Sequence, residues 1–184
     1  MKTLLFAVFI VSVLFIGCAP KTLPKSIGTT YEFTLIDSVK QTKNEIYVKA
    51  YEWIAKTFTS AKDVIQMSDK EAGKIVAKAV IPVPGQHDSY GGTLGNDYVH
   101  YTITIDIKDG KYRCVLSNFY HKGGNYISHN TICSGGDLDN DKCPCGVSYM
   151  SVNRWNKIRD IAKEDAENNL ADLKNYIATK SNDF

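Results

Sequence analysis

The sequence predicts an α+β domain: an antiparallel sheet of about five strands with two helices packed on one of its faces. Three observations carry this expectation. An amphipathic pattern from Ile46 to Phe58 is followed at once by the apolar runs Val64 to Met67 and Ile75 to Val83, joined by the polar turn Asp69 to Gly73. Two longer runs, Tyr98 to Ile107 and Lys111 to Tyr120, alternate with period two on either side of Asp109-Gly110. Apolar residues from Val152 to Ile177 then recur at spacings of three and four, the stripe of a long amphipathic helix.

Composition bounds what such a domain does. A chain of 184 residues with 43% hydrophobic and 23% charged residues supports one core and is short for two. The 22 Lys and Arg against 20 Asp and Glu leave a formal charge of +2, which falls to +1 if Lys2 is removed with a leader. That balance is no electrostatic footprint for nucleic acid.

The N-terminus reads as a targeting signal. Lys2 precedes a largely apolar run from Leu4 to Ile16 that ends in Gly17-Cys18, shorter than the roughly 17 to 25 residues of a membrane span. A small residue before Cys at the end of such a core resembles a bacterial lipobox, with Phe15 where Leu is usual. That resemblance makes residues 1–17 a signal peptide and Cys18 the lipidated first residue of the mature chain. Several acyl chains at ~0.8 kcal/mol per buried CH₂ anchor a protein stably. Ala19, where inner-membrane lipoproteins of Gram-negative bacteria carry Asp, implies the outer membrane. Residues 18–30 hold Pro20, Pro24 and Gly28 without apolar periodicity, so they read as a tether to a single domain over 31–178, with a tail at 179–184.

Within the domain, Tyr31, Phe33 and Leu35 alternate inward on a first strand. Thr42-Lys43-Asn44-Glu45 is a capping box before the stripe Ile46, Ala50, Trp53, Ile54 and Phe58. Trp53 and Phe58 are the expected core anchors. In the strand from Ile75, Ala77 and Ala79 are small enough to let a helix approach closely. Residues 84–96 carry four glycines and read as a surface loop. Asp109-Gly110 favours a type I′ hairpin, whose register opposes Ile107 with Tyr112, Ile105 with Cys114 and Ile103 with Leu116 inside. Asp106 then faces Arg113, Thr102 faces Ser117 and His100 faces Phe119 outside. Cys114 is accordingly a core thiol. Residues 121–150 read as a cysteine-bearing loop.

The strings Glu52-Trp53, Lys62-Asp63-Val64-Ile65-Gln66, Asp69 to Ile75 and Tyr101-Thr102-Ile103-Thr104-Ile105 with the Asp-Gly turn resemble a secreted bacterial domain of unknown function, DUF4468, with a TATA-binding-protein-like (TBP-like) fold. The resemblance covers Tyr31 to Phe119 and implies a curved antiparallel sheet with both helices on one face. It brings no catalytic residues, and a fold name carries no DNA-binding function with it.

Chemistry is sparser. Beside Cys18 the chain has Cys114, Cys133, Cys143 and Cys145. Cys143 and Cys145 are separated only by Pro144 and would bridge each other under strain, so a bond from Cys133 to one of them is favoured. Closing a loop of about ten residues contributes on the order of 2–3 kcal/mol. His121, His129, Cys133, Cys143 and Cys145 also suit zinc chemically, but they form no Cys-x-x-Cys pair, and free thiols are the third reading. Asp137, Asp139 and Asp141 resemble half of a calcium loop, while Lys142 and Ser148 occupy the places of its glycine and its closing glutamate. His100 and Ser117 lie close by the register above, but Asp106 is about 20 Å along the strand from His100, so no triad forms.

The functional expectation is a noncatalytic binding or scaffold lipoprotein of a Gram-negative envelope, without a cofactor, whose partner is a protein or other envelope ligand. Its surface is the sheet face opposite the helices, where Ile36, Val76, Val115 and Phe119 sit among polar residues. The alternative is a metal-dependent hydrolase or thiol redox enzyme built on residues 121–145.

Overall fold

The computed structural model describes residues 31–58, 60–84, 97–128, 131–146 and 150–179, with the backbone alone at 61, 124–128 and 131–134. The leader, Cys18, the tether, most of the loop at 84–96, His129 and the tail fall outside these residues. In chain order the elements are β1 (Phe33–Ser38), α1 (Lys43–Thr57), α2 (Ala61–Val64), β2 (Ile65–Asp69), β3 (Lys74–Val83), β4 (Asp97–Lys108), β5 (Lys111–Ser128), β6 (Thr131–Asp137) and α3 (Val152–Ala178). The strands form one antiparallel sheet of order β1-β5-β4-β3-β2, with β6 also on β5.

Local chemistry sets the helices as the sequence predicts. Thr42 Oγ1 accepts from the Glu45 N–H, and the Glu45 carboxylate accepts from the Thr42 N–H at 2.7 Å, so both halves of the capping box form. Ile46, Ala50, Trp53 and Ile54 are buried, and Phe58 packs against the core from the C-cap position. The α3 stripe from Trp155 to Ile177 is buried at seven positions. α1 packs on α3 and β4, and α3 on β1, β3 and β5. Ala77 and Ala79 are buried in the sheet face beneath them.

The β4–β5 hairpin has the expected register from Lys108 opposite Lys111 to Thr102 opposite Ser117. Its turn is not type I′. Only Gly110 has positive φ, whereas type I′ requires it of both central residues. The turn is instead docked on the β1–α1 connection: Asp109 accepts from the Lys43 N–H at 2.7 Å, and Gly110 exchanges bonds with Val39 and Gln41.

Beyond Ser117 the expected register fails. His100 pairs with Tyr120 rather than Phe119, and Asn118 adopts φ 57. This bulge sets two residues against one, so every later side chain on β5 changes face. Phe119 turns inward, 2% exposed, and stacks on Tyr101 with centroids 4.9 Å apart. His121 is buried and Tyr120 exposed. An Asn at positive φ is tolerated where a β-branched residue is not. Asn118→Gly is therefore expected to be near neutral and Asn118→Val to cost about 1–2 kcal/mol by urea unfolding.

The predicted loop at 121–150 is also corrected at its start. β5 continues to Ser128, and β6 returns along it to Asp137, end to end with β1 on the same edge of β5. Glycines hid this strand. Gly135, at φ 118, lies so close to the His121 backbone that a Cβ there would meet the carbonyl oxygen at 1.9 Å.

Candidate binding face of the sheet

Alternation along five strands lays a second surface opposite the helices, and the observed pairing fixes its rows. Met67, Val76, Thr104, Val115 and Thr34 stand side by side from β2 to β1. The adjacent row is Asp69, Lys74, Asp106, Arg113 and Ile36. In it Asp106 accepts from Arg113 Nη2 at 2.7 Å and from Lys74 Nζ at 3.0 Å. These hydrogen bonds, Arg113 first, hold its carboxyl below the usual carboxylate range. The charges of that row are thus largely spent on one another.

On the other side of the apolar row, Lys78, Thr102 and Ser117 are followed, across the bulge, by Val80, His100, Tyr120 and Asp137. A recess of about 260 Å³ at the bulge is lined by Lys78, His100, Thr102 and Asn118. Partial burial, then Lys122 and Lys78, push the His100 imidazole below its ordinary pKa. His100 is therefore mostly neutral at pH 7.

Exposure distinguishes this face from the rest of the surface. Of six large apolar side chains that stand exposed among the described residues, Ile36 (69%), Met67 (43%), Val80 (47%) and Tyr120 (38%) all lie on it. Val76 and Val115 sit between them, partly exposed. Of the surface residues expected from sequence, Ile36, Val76 and Val115 are therefore brought together, and Phe119 is not. Tyr120 was hidden by the bulge; Val80 was legible as an outward position of the alternation, and Met67 faces outward after a register shift on β2 between Ile65 and Met67.

The cysteine-bearing segment is arranged for packing. Cys114 and Cys143 are buried and free, and burial raises both thiols above their ordinary pKa. Neither is an activated nucleophile. Cys145 is disulfide-bonded; the side chain of Cys133 is outside the described residues. The three aspartates that resemble half of a calcium loop have separate partners in the fold. Asp139 accepts from the Tyr31 N–H, Asp141 pairs with Arg159 at 3.2 Å, and the Asp137 carbonyl accepts from the Asn140 N–H at 3.2 Å. Among the described residues no group of three His, Cys, Asp or Glu is placed to hold a metal.

One polar cluster had no sequence signal. Asp97, at the start of β4, is fully buried with its Oδ2 3.2 Å from Arg154 Nη2 and 3.5 Å from His121 Nε2. The His121 ring stands edge-on to Trp155 at 5.8 Å. Three elements distant in sequence meet here only because the bulge turned His121 inward.

Residues 33–122 match the model of a family described as a domain of unknown function (DUF4468) with TBP-like fold. This part of the chain is a DUF4468 domain. The chain is similar to the crystal structure of a DUF4468 family protein from Bacteroides ovatus, with a TM-score of 0.57 and 16% identity over 89% of this chain and 95% of that one. It is equally similar to a TBP-like protein from Parabacteroides distasonis, at TM-score 0.57 and 13% identity over 84% of this chain and 97% of that one. No curated protein matches the chain. At these identities the likeness establishes the shared TBP-like fold, a curved sheet with helices on one side. The DUF4468 match ends at residue 122, just where β5 enters the cysteine-bearing segment.

Proposed function

We propose that this DUF4468 chain is a lipid-anchored domain of the bacterial outer membrane that binds a protein or other envelope partner, without catalysis, through the open face of its sheet. The observation that carries the reading is the gathering of Ile36, Met67, Val80 and Tyr120 on that face, in a frame of threonines and paired charges. Apolar side chains collected on one face and rimmed by polar ones are what a non-obligate partner surface offers. The lipobox-like Gly17-Cys18 supports the anchor. Among the described residues no helix is long and apolar enough to cross a membrane. A bridge from Cys133 to Cys145 would fasten β6 to the segment before α3 and suits an oxidising compartment.

Two measurements test this reading. Incorporation of labelled palmitate is expected in the native chain and not in Cys18→Ser. Partners crosslinked in cells are expected to fall at least about tenfold in recovery for Ile36→Asp/Met67→Asp, the equivalent of ~1.4 kcal/mol or more. Val48→Asp, on the exposed side of α1, should keep them. Recovery of the same partners by the double variant, with its folding intact, would sink the open-face reading.

A further inference from the structure

A second cavity lies beside residues 78–80 of β3, beyond the end of its pairing with β2. It is a cleft of about 420 Å³ between the end of α1, α2, β3 and α3, within the size range of small-molecule sites. Phe58, Val64 and Ala79 give it apolar walls, with Val80 at its border with the open face, while Tyr101, Asp165 and Asn169 line it with polar groups. Those three are already bonded together. Asn169 Nδ2 donates to Asp165 Oδ2 at 2.7 Å and to Tyr101 Oη at 3.1 Å, and Tyr101 Oη donates to Asp165 Oδ2 at 3.4 Å.

What the trio lacks is positive charge. Asp97 has Arg154, and Asp106 has Arg113 and Lys74. Asp165 is half-buried and, among the described residues, has no Lys, Arg or His within 4.0 Å. A carboxylate withdrawn from water and given only neutral donors keeps much of its desolvation cost. Burial accordingly holds the Asp165 carboxyl above its usual range. Lys78 also lines the cleft, but its side chain reaches solvent, where its charge is screened.

We propose that this cleft is a binding site for a small ligand carrying an ammonium group on an apolar body, with Asp165 as counter-ion and Phe58 and Val64 covering the body. A neutral hydroxyl adds only a third donor to a carboxylate that has two. An ammonium supplies the missing charge, so the site discriminates between them. The cleft borders the open face at Lys78 and Val80, but its counter-ion Asp165 belongs to α3, and neither reading depends on the other.

The test uses 2-phenylethylamine and its neutral isostere 2-phenylethanol, titrated by calorimetry into the chain carrying Cys18→Ser. The amine is expected to bind at least about tenfold more tightly than the alcohol. Asp165→Asn, which keeps the shape and an acceptor for Asn169, should erase that preference without lowering thermal stability. Val64→Trp, which fills the cleft from α2 and leaves the carboxylate in place, should abolish binding of both. Asp160→Asn is the control and should bind as the native chain does. Equal binding of the two probes, no binding of the amine, or an amine preference surviving in Asp165→Asn would each overturn the proposal.

Discussion

Asp97→Ala is expected to lower the stability of the domain by about 3–5 kcal/mol, the cost of removing one partner from a buried ion pair. Asp97 is fully buried, and Arg154, 3.2 Å away, keeps 13% of its side chain exposed. The same guanidinium donates to the Pro84 carbonyl, so from the first turn of α3 it clasps both ends of the connection between β3 and β4. Alanine would leave that charge, and the buried His121 ring 3.5 Å from Asp97, facing an apolar gap. Asp97→Asn keeps the shape and an acceptor and should cost less. The double variant Asp97→Ala/Arg154→Met removes both charges and should recover part of the loss, so a double-mutant cycle in urea should show coupling above ~1 kcal/mol. Additive losses would mean that Arg154 satisfies itself elsewhere.

The contrast between what the sequence predicts and what it conceals has one physical source. Elements set by local pattern were legible: the capping box at Thr42, the α3 stripe, the inward alternation of β3 and the hairpin register up to Ser117. Each depends on residues within a turn or a pleat of one another. What was not legible depends on a single unpaired residue. Asn118 carries no mark in a linear reading that a bulge falls there, yet it reverses the face of all that follows. From it come the burial of Phe119, the exposure of Tyr120 and the meeting of His121 with Asp97. β6 was missed for another reason, since Gly135 and Gly136 read as a loop by composition. In the fold they are what lets β6 approach His121 and Pro144.

The two candidate sites differ in the same way. Ile36, Val76 and Val115 could be placed on one face from alternation alone, because a sheet face is periodic. The Asp165 cleft could not, because Tyr101, Phe58 and Asn169 are brought together by the crossing of α3 over β3 and β4 rather than by any spacing. A carboxylate at the edge of a helix's apolar stripe reads as a solvated side chain until the neighbouring element is known.

Trp53→Ala is the second large effect, again about 3–5 kcal/mol. Trp53 is 1% exposed, its ring edge-on to Phe58 at 5.9 Å, and its Nε1–H donates to Asp172 Oδ2 at 2.8 Å across to α3. Packing and hydrogen bonding can be separated, because Asp172 is exposed and water replaces the lost donor. Trp53→Phe keeps most of the buried ring and should cost roughly 1–2 kcal/mol, so the step from Phe to Ala should be the larger one. Urea unfolding of the three proteins measures both steps; a larger loss at the first would put the hydrogen bond above the packing. The series also reaches the cleft, whose wall includes Phe58. With Trp53→Ala the Phe58 ring loses its edge-on support, and amine binding should weaken along with stability. With Trp53→Phe that support remains, and the preference for 2-phenylethylamine over its alcohol should persist, since the charge that sets it belongs to Asp165.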